Sequence, residues 1–139
     1  MLGVALIVRT LLFASFAFAS SNRAVCVVPQ NQALTASASM VFIGVAVRLD
    51  TIARHRDREL VTFAVDRAWK GVWSDTVALP HVLHTLDSGT YTLERRYLVA
   101  TTGPDGDLLI DDCVSGPITE PWVQRHVRLL GRPSWTPRH

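Results

Sequence analysis

Apolar and polar positions divide the chain into blocks of different period. The first 19 residues, MLGVALIVRTLLFASFAFA, are apolar apart from Arg9, Thr10 and the small residues. Next, QNQALTASA holds small and polar residues that fit one short helix, from Gln30 to about Ala38. MVFIGVAVRLD is rich in β-branched and aromatic residues and predicts a long buried strand, with Gly44 marking a bend or bulge. LVTFAVDRAW alternates, as a strand with one wet face does. Between these two strands, TIARHRDRE reads as a polar hairpin loop. Lys70-Gly71 turns the chain into SDTVALPHV, a third strand whose Pro80 implies a sheet edge or a strand end. LHTLDSGTYTLE is an irregular connection. RRYLVAT is a fourth strand, TGPDGD a turn, and LLIDDC a fifth strand. GPITEP then breaks the pattern. In PWVQRHVRLLGRP, Trp122, Val123, Val127 and Leu130 recur at helical spacing, with Pro121 at the first helical position and Gly131 and Pro133 as the stop. SWTPRH reads as a frayed tail.

Five short strands, one helix before them and one after, predict a mainly β protein built as a small closed or partly closed barrel. The core surface of the first strand is expected from Val41, Phe42, Val45 and Val47. Trp69 is expected at a strand end, its indole N–H meeting a loop carbonyl.

The first block has further consequences. TLLFASFAFA has the length of a signal-peptide core and ends in the A-x-A cleavage pattern Ala17-Phe18-Ala19. The whole apolar stretch of residues 1–19 barely reaches the length needed to span a bilayer and is interrupted by Arg9. A signal peptide over residues 1–19 predicts an exported chain with no transmembrane segment after cleavage. Removing Arg9 leaves 13 cations against 12 acids, a balance that argues against nucleic acid as a partner. Arg125, Arg128, Arg132 and Arg138 concentrate in the C-terminal segment 122–139, where no acid accompanies them.

The stretches ASASMVFIGVAVRL, VTFAVDRAWKGVWSDTVAL, RRYLVAT and DDCVSG, in that order and spacing, resemble netrin-like domains related to tissue inhibitors of metalloproteinases, and most of all their bacterial relatives. The resemblance runs from about Ala24 to Gly116 and gives a domain over 20–121. It implies a five-stranded Greek-key barrel of the OB type. The family commonly opens with Cys-x-Cys, where this chain has Ala24-Val25-Cys26. It carries a Cys-Gly where this chain has Ser88-Gly89. Both halves of one family disulfide are therefore absent and both halves of the other are kept. The resemblance thus implies a bridge between Cys26 and Cys113, as expected for cysteines in an exported chain.

Family inhibitors chelate a protease zinc through the free amine and carbonyl of an N-terminal cysteine. Here residues 20–25 precede Cys26, which puts that mechanism in doubt and leaves metalloproteinase inhibition as the alternative reading. The first reading is a non-enzymatic module that binds an extracytoplasmic protein in the periplasm, at the cell surface or outside the cell. The hairpin loop, with Arg54, His55, Arg56 and Arg58, is the expected contact, and Trp73 is a second candidate if exposed. Enzyme activity is the third reading, with no catalytic motif to carry it: G-x-S-x-G, a phosphate loop and H-E-x-x-H are all missing from the sequence. No cofactor or metal is expected. His81 and His84 form H-x-x-H, but on a strand they face opposite sides. They read as solvated or half-buried, with no nearby cysteine or carboxylate to complete a zinc set. The aspartates of DGDLLIDD (Asp105, Asp107, Asp111, Asp112) lack calcium-loop spacing and read as a turn followed by a wet strand face.

Overall fold

A computed structural model of the chain describes residues 31–83 and 90–138. The signal segment, Cys26, His84 and Ser88-Gly89 lie outside them. The described elements are helix α1 (Asn31–Ser37), strands β1 (Val41–Thr51), β2 (Arg58–Lys70), β3 (Thr76–Val82), β4 (Arg96–Thr102), β5 (Leu109–Ile110) and β6 (Gly116–Pro117), and helix α2 (Pro121–Leu130). The strands form one antiparallel sheet ordered β3-β2-β1-β4-β5, with the short β6 also on β4. The sheet is not closed by hydrogen bonds into a barrel, although its two edge strands, β3 and β5, lie against each other.

The run Val41-Phe42-Ile43 is buried throughout because both faces of β1 are covered. Phe42 and Ala46 face the concave side with Phe63, Val65, Tyr97 and Val99. Val41 and Ile43 face the other way with Leu98 and Ala100, under Leu34 of α1 and Val123 of α2. Neighbouring side chains on a strand alternate between faces, so a strand between two layers must be apolar at every position. Rings on the concave side meet edge to face: Phe63 lies 5.6 Å from Phe42 and 5.5 Å from Tyr91, a preferred aromatic geometry.

Gly44 sits at a register irregularity between β1 and β2, as expected. A Cβ there would lie 2.8 Å from the Ala64 carbonyl oxygen, so the strands approach more closely than a side chain allows. Gly71 ends β2 with φ of 71°, a left-handed conformation that favours glycine. Just before it, the Lys70 ammonium donates to the Thr35 carbonyl at 2.7 Å, satisfying the C-terminal end of α1. The indole of Trp69 donates to the Gly131 carbonyl at 3.0 Å, the loop carbonyl anticipated for it, and so ties the end of α2 to β2.

Four expectations need correction. The fifth strand covers two residues rather than LLIDDC. Asp111 ends it, because its carboxylate accepts from the Cys113 N–H and its carbonyl from the Val114 and Ser115 N–H groups, closing a turn. Val47 is 48% exposed rather than core, because β1 runs past the end of its partner β4. The tail is not frayed: Trp135 and Ser134 bond to the Ala68 backbone. The β2–β3 ladder stops at Ala64, which leaves the backbone of Ala68 to be satisfied by another segment. Finally, Asp111 and Asp112 do not share a wet strand face: both follow the end of β5, Asp111 closes the turn and Asp112 reaches the buried His81.

Candidate functional site

Glu59, Val61 and Phe63 occupy alternate positions on β2 and share the concave face. Across the β2–β3 ladder Glu59 pairs with His81 and Val61 with Leu79. His81 is therefore delivered to the core face by the same alternation that buries Leu79. It is 0% exposed, in contrast to the solvated or half-buried position expected of it. Its Nδ1 lies 3.0 Å from Glu59 Oε1. Its Nε2 lies 3.0 and 3.1 Å from the two oxygens of Asp112, which arrives from the turn after β5. The ring also meets Tyr91 edge to face, with centroids 4.9 Å apart.

A neutral imidazole carries one N–H, so it could donate to only one of these carboxylates. The doubly protonated ring donates to both. Burial alone would lower the His81 pKa and is the largest single influence on it. The hydrogen bonds and charges of Asp112 and Glu59 together outweigh burial, and the pKa is raised above 6.5. Burial, reinforced by the negative charge of Asp112, pushes the Tyr91 hydroxyl well above the ordinary tyrosine range and keeps it neutral. The arrangement is an ionic clamp across the gap between β3 and β5.

Beside the clamp is a cavity of about 240 Å³ lined by Tyr91, Tyr97, Asp112, Ser115, Glu120 and Trp122, among others. The Tyr97 hydroxyl accepts from the Thr92 N–H at 2.8 Å, and the Ser115 hydroxyl is shared with the Ala100 backbone. His81 does not line this cavity. Among the described residues no cluster of His, Cys, Asp and Glu has the arrangement of a metal site.

The residues expected to contact a partner lie at the opposite end of the β1–β2 hairpin from Gly71. Arg54, His55 and Arg56 are exposed at its tip, which is folded by bonds from the His55 N–H to the Ile52 carbonyl and from the Arg58 N–H to the His55 carbonyl. Arg58 departs from this group: it starts β2, is half-buried, and its Nε is enclosed. Trp73, on the loop between β2 and β3, is 71% exposed. Cys113 is half-buried in the turn beside Asp112. Arg125 and Arg128 are on the exposed face of α2, while Trp122, Val127 and Leu130 pack toward the sheet.

Sequence reasoning missed the clamp. Its one legible signal is the alternation Leu79-Pro80-His81, which puts the histidine on the face of a core leucine. The two carboxylates stand 22 and 31 residues away in the chain, too far for any spacing rule to collect them. No family model and no curated protein matches the chain. Among the described residues, no helix is long and apolar enough to cross a membrane.

Proposed function

We propose that the chain is an exported, non-enzymatic protein-binding module of the netrin-like, OB type, held by a Cys26–Cys113 disulfide once its signal peptide is removed. The observation that carries the binding role is the hairpin tip, where Arg54, His55 and Arg56 stand exposed together on a turn braced by two backbone hydrogen bonds. A preformed cationic tip recognises an acidic surface with little ordering cost. The strand order β3-β2-β1-β4-β5, with β3 lying against β5, supports the OB-type reading of the sheet. The enclosure of His81, with both ring nitrogens engaged by carboxylates, supports a structural rather than catalytic use of this histidine.

Affinity capture from the extracytoplasmic fraction with the wild-type protein and an R54E/R56E variant tests this reading. It predicts an acidic protein retained by the first and lost from the second, and then direct binding between the two purified proteins with the same loss. Equal capture by both variants would rule out the tip. The alternative, metalloproteinase inhibition, requires Cys26 to be the first residue of the mature chain. Intact mass of the secreted protein, before and after reduction and alkylation, reads the start site and the disulfide together. A chain beginning at Ser20 that takes up label only after reduction removes the zinc-chelating mechanism and supports the bridge.

A further inference from the structure

Hydrogen bonding between β1 and β4 stops at Val45, opposite Arg96. One more pair of backbone bonds joins Ala46 to Glu94 and Arg95. Glu94 has φ of 66°, and this left-handed turn takes the chain away from β1. β1 nevertheless continues to Thr51, paired with β2. Among the described residues no strand pairs with Val47–Thr51 on the side that β4 has left. Among the described residues this edge is open, its backbone donors and acceptors meeting no neighbouring strand.

The side chains on the edge are ordered by face. The register shift between Ala46 and Arg48 makes Val47 the extra residue of a bulge. Beyond it Leu49 pairs with Val61, a core residue, so Leu49 belongs to the concave face. Val47 and Leu49 are 48% and 36% exposed. Leu49 extends the apolar row of the core beyond the last strand that covers it, and Val47 stands exposed beside it at the bulge. Arg48 and Asp50 occupy the other face and pair with each other, Nε to Oδ2 at 2.8 Å.

We propose that this edge is the interface of a symmetric dimer, occupied by Val47–Thr51 of a second copy of the chain. Antiparallel pairing centred on Leu49 sets Leu49 against Leu49 of the second copy and Val47 against Thr51. It sets Arg48 opposite Asp50 and Asp50 opposite Arg48. The two intramolecular ion pairs, one in each copy, are thereby exchanged for two intermolecular ones, the apolar residues of the two concave faces cover each other, and the edge backbone is satisfied. A two-fold interface must be self-complementary, and the order Arg-Leu-Asp is so when read against its own reverse. A heterologous extended segment would fill the same edge without requiring this charge symmetry.

The test is sedimentation velocity and native mass spectrometry of the full chain across a concentration series, with R48D at an exposed position and D50R at a partly exposed one. Wild-type protein is expected to dimerise. Each single variant sets like charges opposite one another in a homodimer and is expected to be monomeric, with dissociation constants raised at least tenfold. An equimolar mixture of the two variants restores opposite charges and is expected to form the heterodimer alone. Circular dichroism confirms that both variants are folded. Wild-type protein that stays monomeric to about 1 mM overturns the proposal, even if the edge then takes an extended segment of another protein. So does a dimer indifferent to either charge reversal, which would place the contact on another face, or a mixture that remains monomeric.

Discussion

The same two long strands reach both an ionic seam and an open edge, and the contrast shows what each end of this sheet lacks. At the seam, β3 and β5 lie together without a hydrogen-bonded ladder, and His81 joins them by accepting the company of two carboxylates. At the edge, β1 outruns β4 and the backbone has no partner among the described residues. The seam is short of backbone bonds and uses buried charge. The edge has backbone groups and apolar side chains to spare and exposes them. Buried charge fixes one geometry at a cost in desolvation, whereas an exposed strand edge leaves a choice of partner.

The largest effect expected is at the seam. H81A removes the cation from between Glu59 and Asp112 and leaves both carboxylates facing each other beside Tyr91. Removing one partner of a buried ionic group typically costs about 3 kcal/mol or more, and denaturant unfolding should show a loss of that order. A wild-type midpoint in H81A would break the comparison.

The pH dependence of stability comes next. Because the folded pKa of His81 is raised, the folded state binds this proton more tightly than the unfolded chain does. Its contribution is fully present below the unfolded value of about 6.5 and is lost as pH rises through the folded value. Wild-type stability should therefore fall across that window relative to H81A, whose profile there is expected to be flat. A wild-type profile parallel to that of H81A would mean the ring is not held as the cation.

Y91F sharpens the contrast further. The ring contacts with Phe63 and His81 persist, and only the buried hydroxyl is lost, at a cost of about 1 kcal/mol measurable in the same unfolding experiment. The smallest effect is at the open edge. Arg48 is exposed and its ion pair is screened by solvent, so R48A should leave monomer stability within about 0.5 kcal/mol of wild type. A larger loss would show that the edge is already part of the folding unit.

Much of the sheet can be read in the sequence because its strands carry local marks. Gly44 announces the irregularity in β1, Pro80 the edge strand, Lys70-Gly71 the turn, and Pro121 with Gly131 the bounds of α2. Val47 reads as core because its β-branched character matches its neighbours, yet it is exposed. Whether it is covered depends on where β4 stops, which is set by the backbone of Glu94. The β6 pairing and the bond of the tail to Ala68 were illegible for a related reason. Both satisfy backbone groups left over by other elements, and a leftover carbonyl has no signature in side-chain pattern. The exposed tip residues Arg54, His55 and Arg56 were legible because a polar run between two strands is a local signal. The clamp at His81 joins three separate segments and so has none.

The span of that clamp also bears on how the molecule comes apart. β1 and β2 are consecutive and close a short loop, so their pairing is reached early in folding at small entropic cost. Glu59, His81 and Asp112 meet only after β3, β4 and β5 have taken their places. A contact among three separated segments is expected to form late, and one that is absent from the folding transition state slows unfolding without hastening folding. In stopped-flow measurements, H81A should steepen escape from the native state while refolding proceeds at nearly the wild-type rate. The buried histidine then acts as a brake on lifetime, holding the folded chain against escape rather than drawing it into the fold.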